Sequence, residues 1–528
     1  MAAMQPARRL YADPAGLFLH QAILNSCQRF AAKTALVDTS TNPVRHISYG
    51  EYGQLVERVA RGLIAAGLQP GEVIGIFLWN CWEFPVAYHA ATLAGAIPTL
   101  LNPSYREREV RYQLETADAV MLITDAAQIA GMNLSVLPKL RRIHTTRESA
   151  AGINLFSELF ADNSAALPAP AQAPEESLAA LPFSSGTTGM PKGVMLTHFN
   201  LVVNAYQTIR PGEEAGYRAG DIFLCFLPLY HIYGLNVILN SVLASGGCLV
   251  LMPRFDPQRV CEVISQQQIT YLMLVPPAMN ALSHAAEEGC FPKKHSVRAA
   301  KCGAAPLGRP VAERFTNLTG IRVAEGYGMT EASPVTHLGF LEPGLYVPDS
   351  IGHPAAQTEC RMVDEAGNDA DPERGGELVM RGPQFMLGYW KSPQATNEVL
   401  RDGWYWSGDV ARRDERGLYY IVDRRKEMIK YKGFAVAPAE VEALLMEHPA
   451  VRDCGIVGAA DSAAGEIPIA FVVLRQPEQA SAKMESELCG YVGERLVSYK
   501  QPRRVRFVEA IPRNPSGKIL RRELRAML

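Results

Sequence analysis

Most of the features that assign a protein at a glance are missing from this 528-residue chain. Charge of one sign is absent: 52 Lys+Arg face 54 Asp+Glu, a formal net charge of −2. Nothing in that balance draws the chain to nucleic acid, so any anionic ligand must be met by a local site. The ten cysteines include no CxxC pair and no Cys/His spacing of a zinc site, a pattern that fits reduced thiols and excludes a disulfide framework. Residues 1–14 carry Arg8 and Arg9 but no apolar stretch of a secretory leader, so a cytoplasmic location is expected. Solenoid-length repeats and extended low-complexity tracts are lacking too.

One long run without Asp, Glu, Lys or Arg does occur, over residues 222–253, enough to cross a bilayer by length alone. Pro228, His231, Asn236, Asn240 and the Gly246 and Gly247 pair interrupt it. It reads as strand, turn, helix, turn and strand inside an α/β core, and no integral membrane segment is expected.

The chain exceeds what a single hydrophobic core sustains, so more than one domain is expected. Between residues 20 and 125, helix-like stretches (54–66, 82–94) alternate with short apolar runs (73–78, 97–101, 120–124), which predicts βα repeats and a largely parallel sheet. Ala, Pro, Ser and Asn dominate 161–177, a surface connection. The texture changes after Asp423. Strands at 454–457, 467–474 and 505–508 and helices at 438–447 and 485–497 predict a small α+β unit, with Pro438 suited to a first helical turn and Glu440 and Glu442 to its positive end.

Five short motifs bear chemistry. Ser184-Ser185-Gly186-Thr187-Thr188-Gly189-Met190-Pro191-Lys192-Gly193 supplies glycines for close backbone approach, hydroxyl donors and one lysine, the parts of a polyphosphate cradle. Lys192 is followed by glycine where a P-loop has Ser or Thr, so a P-loop is not implied. An isolated SGTTG also describes a polar surface loop. In Glu325-Gly326-Tyr327-Gly328-Met329-Thr330-Glu331, Tyr327 can present a flat ring to a base, Thr330 a hydroxyl to phosphate and Glu331 a hard oxygen to Mg²⁺; a turn with a core tyrosine is the plain alternative. Trp406-Ser407-Gly408-Asp409 places a carboxylate after a tight turn, where it could bind ribose hydroxyls or cap an Asx turn. The charged segment from Asp423 to Gly433 reads as a solvated run between domains, and Pro515-Ser516-Gly517-Lys518 as a loop tip near the end of the chain.

In this order, across more than three hundred residues, the five motifs resemble the superfamily of adenylate-forming enzymes that includes acyl-CoA synthetases, 4-coumarate:CoA ligases and beetle luciferases. The likeness is closest to the 4-coumarate:CoA ligase-like branch, through runs such as Val194-Met195-Leu196-Thr197-His198 and Ile429-Lys430-Tyr431-Lys432-Gly433-Phe434. It implies an α/β fold: a large N-terminal domain of mixed sheets flanked by helices (1–422), a hinge (423–426) and a small mobile α+β C-terminal domain (427–528). It also implies an ATP-dependent carboxylate:CoA ligase that forms an acyl-AMP and then a thioester, using ATP, Mg²⁺ and CoA.

By the same resemblance, Ser184, Ser185, Gly186, Thr187, Thr188 and Lys192 hold phosphates, Thr330 lies near the α-phosphate and Glu331 at magnesium. Gly303 to Pro306 and Tyr327 flank adenine, and Asp409 and Arg424 hold the ribose. Lys426 is the hinge position, Lys430 serves the thioester step, Lys432 and Gly433 line the pantetheine channel, Arg254 meets a CoA phosphate, and Lys518 is the adenylation lysine. His231 sits beside the carboxylate and gates it; a satisfied core histidine is the alternative. The acid pocket is lined by Ile232, Tyr233, Asn236, Val237, Lys301, Gly303, Ala304, Gly328, Pro334, Val335 and Thr336. Lys301 either binds a polar substrate tail or packs its stem and snorkels to water. The acid is expected to be a medium- or long-chain fatty acid or an arylpropenoic acid. Loading of a carrier protein is the second reading, and a non-catalytic acyl-nucleotide-binding protein the third.

Overall fold

The computed structural model describes every residue except 1–9, 149–152, 162–163, 185–189, 211, 344, 365, 433, 462–463 and 515–516. Its largest sheet has nine strands, in which Thr34–Asp38, Cys248–Leu251, Ile222–Cys225, Tyr271–Leu274, Ala299–Cys302 and Val323–Gly328 run parallel. Antiparallel strands close both edges: Arg45–Ser48 on one side, Val335–Leu338 and His353–Pro354 on the other. A second, wholly parallel sheet comprises Ile97–Leu100, Val73–Phe77, Ala119–Thr124, Arg142–Thr145 and Asn154–Leu155. Every residue of Val73–Phe77 and Ala119–Thr124 is buried, as parallel strands covered on both faces require.

The expected βα repeats are present, with shifted ends. The first helix is Tyr49–Ala65 and starts ahead of residue 54 because Ser48 caps it, its Oγ accepting from the Glu51 N–H at 3.1 Å. The second, Glu83–Leu93, is buried around almost its whole circumference against Leu19–Arg29 and Tyr49–Ala65. The uncharged run resolves into the strand Ile222–Cys225, the widened helix Tyr233–Asn240 continuing as Ser241–Ser245, and the strand Cys248–Leu251. Among the described residues, no helix is long and apolar enough to cross a membrane. All ten cysteines are free thiols.

Two antiparallel systems complete the large domain. Lys192–Thr197 pairs with Leu178–Ala180, Phe183–Ser184 and Gly388–Tyr389. Glu359–Val363, Gly376–Arg381, Trp404–Arg413, Leu400–Arg401 and Tyr419–Arg424 form a five-stranded sheet. Directly after Arg424 the chain turns into a smaller sheet of Phe434–Val436, Ile429–Tyr431, Gly465–Leu474, Val451–Asp461 and Arg504–Phe507. Helices Pro438–Leu445 and Ala482–Gly493 cover it, and Ile429, Val441, Leu445, Ile456, Val472 and Leu488 belong to its own core. The helix expected at 485–497 begins earlier because Ser481 Oγ accepts from the Met484 N–H, and it ends at Gly493. A large N-terminal and a small α+β C-terminal domain make up the α/β architecture.

Candidate active site

Asp409 lies directly across the strand pair from Arg424, with Arg424 Nε 3.0 Å from Oδ1. Tyr327, near the end of Val323–Gly328, donates its hydroxyl to Asp409 Oδ2 at 2.5 Å. The Asp409 carboxylate is thus held by groups from other strands, and the local turn is served instead by Ser407 Oγ, which accepts the Asp409 N–H at 3.0 Å. Neither the Asx turn nor an isolated core tyrosine describes this arrangement.

Lys518 belongs to the small domain and is half-buried where the neighbouring Gly517 lies close to Pro277 of the large domain. Its N–H donates to Asn514 Oδ1 at 2.8 Å, closing a loop in which Gly517 adopts φ +85°. A Cβ on Gly517 would come within 3.0 Å of the Pro277 ring, so glycine allows the loop to lie against the large domain. Burial lowers the Lys518 pKa to about 8, Arg424 pushes it the same way, and Glu427 and Asp409 oppose.

Beside this cluster, the strand pairing sets Lys192 opposite Ser184. Ser184 Oγ donates to Glu331 Oε1 at 3.1 Å, and Thr330 and Glu331 open the short helical turn Thr330–Ala332. Tyr405 links the two groups: burial raises its pKa, and Glu331, Tyr389, Tyr327 and Asp409 add to the rise. Ser185, Gly186, Thr187, Thr188 and Gly433 lie outside the described residues.

The acid-pocket candidates gather around Tyr233. A Cβ built on Gly303 would sit 3.3 Å from the Gly326 carbonyl oxygen and 3.9 Å from the Tyr233 ring, so glycine lets this backbone pass close to both. Gly328 is required by close approach, since a Cβ there would lie 2.0 Å from the Pro334 carbonyl oxygen. Ala304 is exposed with φ +69°, a left-handed conformation rare for a residue with a side chain. Ile232 and Val237 are buried on the helical segment, and the Val237 carbonyl accepts from the Tyr217 hydroxyl at 3.1 Å. His231 Nδ1 accepts the Tyr233 N–H at 3.2 Å, and burial lowers its pKa to about 4, so the ring is neutral near pH 7.

Two of the pocket candidates are tied into the core by hydrogen bonds. Asn236 donates to Leu201 O at 3.1 Å and Ser333 O at 2.6 Å and accepts from Asn240 at 2.8 Å, so its amide ties the core together. Thr336 is fully buried, with its hydroxyl against Tyr327 O at 3.4 Å and His337 Nδ1 at 3.1 Å. Lys301 does not snorkel: it is 5% exposed, its Nζ donates to Thr208 O at 3.2 Å and lies 4.2 Å from the Tyr217 ring centroid. Burial, together with Arg210 and Arg298, holds its pKa well below the usual lysine range.

Lys426, Lys430, Lys432 and Arg254 stand apart from these clusters, and all are exposed. The Lys430 N–H donates to Glu466 at 2.8 Å, the Lys432 N–H to Ala464 O at 2.7 Å, and the Arg254 guanidinium stacks 4.2 Å over Trp79.

Residues 23–390 match the AMP-binding enzyme family and residues 440–518 the C-terminal domain of such enzymes. The chain belongs to the AMP-binding enzyme family. It is an acid–thiol ligase of the 4-coumarate:CoA ligase-like branch. It is 36% identical to 4-coumarate-CoA ligase 1 of Narcissus pseudonarcissus, over 98% of this chain and 94% of that one. Identity is 35% to 4-coumarate--CoA ligase 1 of Arabidopsis thaliana, over 98% and 93% of the two chains. Among solved structures, an anthranilate CoA ligase in complex with anthranoyl-AMP superposes with a TM-score of 0.89 at 25% identity, covering 98% of each chain. A benzoate CoA ligase from Burkholderia xenovorans gives 0.87 at 26%, covering 96% of this chain and all (100%) of that one.

In this AMP-binding enzyme, several residues that shape the site escaped sequence reasoning. Asn204 grips the Val335 backbone at both ends, donating to its carbonyl at 2.8 Å and accepting its N–H at 3.1 Å. Tyr389 donates to Glu331 at 2.8 Å, and Glu325 is half-buried with its pKa raised to about 8 by desolvation. Only Tyr389 carried a local signal, an aromatic beside Gly388 in an apolar stretch.

Proposed function

We propose that the ligase activates an aromatic or arylpropenoic carboxylic acid with ATP, releasing pyrophosphate, and passes the acyl group from the adenylate to CoA. The observation that carries this reading is the Tyr327, Asp409 and Arg424 cluster, with Lys518 half-buried in the small domain next to Gly517, which lies close to Pro277, and with Arg424 and Asp409 bearing on its charge. Attack of a carboxylate on the α-phosphate brings two anions together, and a lysine between them offsets the repulsion as charge develops. Asp409 and Arg424 are suited to the ribose and Tyr327 to the base, while Ser184, Lys192 and Thr330 face the phosphates. His231, neutral and tethered, gates the carboxylate without acting as a base. Magnesium, when bound, screens the phosphates and eases pyrophosphate departure. Glu331 would hold it, and a single protein carboxylate suits an ion that keeps waters and phosphates as its other ligands.

An aromatic or hydroxylated acid is favoured over a plain fatty chain by Lys301, a buried amine whose partners are one carbonyl and one ring face. A distal hydroxyl or carbonyl would supply the acceptor that such a group lacks. The arrangement corresponds to the first half-reaction. For the second, the small domain (427–528) turns about Lys426 in the 423–426 hinge, withdraws Lys518 and brings in Lys430, Lys432 and Gly433, with Arg254 left to meet a CoA phosphate. A cytoplasmic setting belongs to the same reading. The test is release of pyrophosphate and AMP across a panel of acids, with and without CoA. AMP formation with hydroxycinnamic or benzoic acids and CoA supports the proposal. Transfer to a carrier protein but not to CoA would redirect it, and no AMP with any acid would end it.

A further inference from the structure

We infer that Tyr389 and Ser184 are positioning residues that turn the Glu331 carboxylate so that one oxygen stays open toward the metal accompanying ATP; this rests on the proposed ATP-dependent function. Glu331 is buried, and its Oε1 accepts two hydrogen bonds, from Ser184 Oγ at 3.1 Å and Tyr389 Oη at 2.8 Å. Its carbonyl is fixed as well, accepting the Met386 N–H at 2.8 Å. Among the described residues, Oε2 receives no hydrogen bond and no ion pair. Two neutral donors therefore set the direction of the carboxylate without cancelling its charge.

The strand register explains how the donors meet. Lys192–Thr197 carries Ser184 opposite Lys192 on one partner strand and Tyr389 opposite Val194 on another, so a single strand aligns both hydroxyls. It also disposes of the nearest cation. Lys192 Nζ lies over the Tyr389 ring, 5.4 Å from its centroid, and forms no ion pair with Glu331. A lysine salt-bridged to Glu331 would compete with a metal for the same oxygen; the aromatic face holds the ammonium nearby without that competition. Among the described residues there is no group of three or more His, Cys, Asp or Glu able to hold a metal ion. The aim of this one carboxylate consequently matters more than it would in a multi-ligand site.

The test uses the full chain, Mn²⁺ as a paramagnetic stand-in for Mg²⁺, and an α,β-methylene ATP analogue, with free Mn²⁺ followed by electron paramagnetic resonance. Tyr389→Phe keeps the ring and deletes the donor, and should raise the Kd for Mn²⁺ in the ternary complex roughly tenfold, the scale of one hydrogen bond to a charged group. It should also change the spectrum of the bound ion and leave nucleotide affinity in EDTA unaltered. Ser184→Ala should weaken Mn²⁺ binding as well. The inference fails if Tyr389→Phe binds Mn²⁺ like the parent, or if its loss is equally large in EDTA, which would mark a purely structural role. A parent that binds no metal–nucleotide complex would bring down the proposed function along with it.

Discussion

Lys518 and Lys430 sit in the same small domain on opposite terms with the rest of the molecule. Lys518 is desolvated, its loop lies against Pro277, and its pKa is drawn down to about 8. Lys430 is exposed on the strand Ile429–Tyr431, and its backbone partner, Glu466, belongs to the small domain. A buried cation needs a compensating ligand charge, whereas an exposed one costs nothing until it is used. On the proposed function, the contrast teaches that a single arrangement of the domains equips the site for one half of a two-step reaction, with the other lysine held outside.

Separating the half-reactions would break or sharpen that contrast most. Lys518→Ala should slow adenylate formation by about 10²-fold or more, on the scale of a lost oxyanion donor, while a preformed acyl adenylate still reacts with CoA. Isotope exchange between pyrophosphate and ATP, set beside thioester formation from synthetic adenylate, reads both steps; equal damage to each would refute the division of labour. Lys430→Ala should show the reverse, with thioester formation down roughly tenfold and exchange intact, the scale of one charge-assisted contact.

Substrate choice offers a smaller effect. Lys301→Leu should cut kcat/KM for acids bearing a distal hydroxyl or second carboxylate by several-fold to roughly tenfold more than for unsubstituted acids. Equal losses across both classes would make Lys301 structural. The pH dependence is the mildest expectation. Because the folded pKa of Lys518 is lowered to about 8, its positive charge fades as pH rises through that value, and the exchange rate should fall to roughly half there. The same lowering means that the unfolded chain binds more protons between about 8 and 10.5, so this group's cost to stability is relieved across that window as pH rises. An exchange rate still climbing through pH 9 would contradict a protonated Lys518.

The motifs around Ser184, Tyr327 and Asp409 were legible in sequence because each is a contiguous run with groups suited to a nucleotide, and so was the change of texture after Asp423. Arg424 and Lys518 read as part of a solvated run and a loop tip, and only the order of all five motifs singled them out. The core bonds of Asn236 are not legible in sequence, since an amide in an apolar helix looks the same whether it faces a ligand or two carbonyls; its acceptors, Leu201 and Ser333, are 35 and 97 residues away. Asn204 and Tyr389 were passed over for the same reason: their partners come from elsewhere in the fold. The helix ends shifted where a serine cap acted ahead of the apolar pattern, at Ser48 and Ser481.

By itself the amino-acid order determined the α/β class and the family, because periodicity, glycine placement and the order of short motifs are local properties. The tertiary structure alone decided which groups meet: Asp409 against Arg424 through strand register, Glu331 beneath Ser184 and Tyr389, Lys301 sealed beside Tyr217, and Lys518 half-buried while Lys430 is exposed. Burial and long-range pairing set the charge and the aim of a side chain, and both depend on neighbours that sequence order does not name.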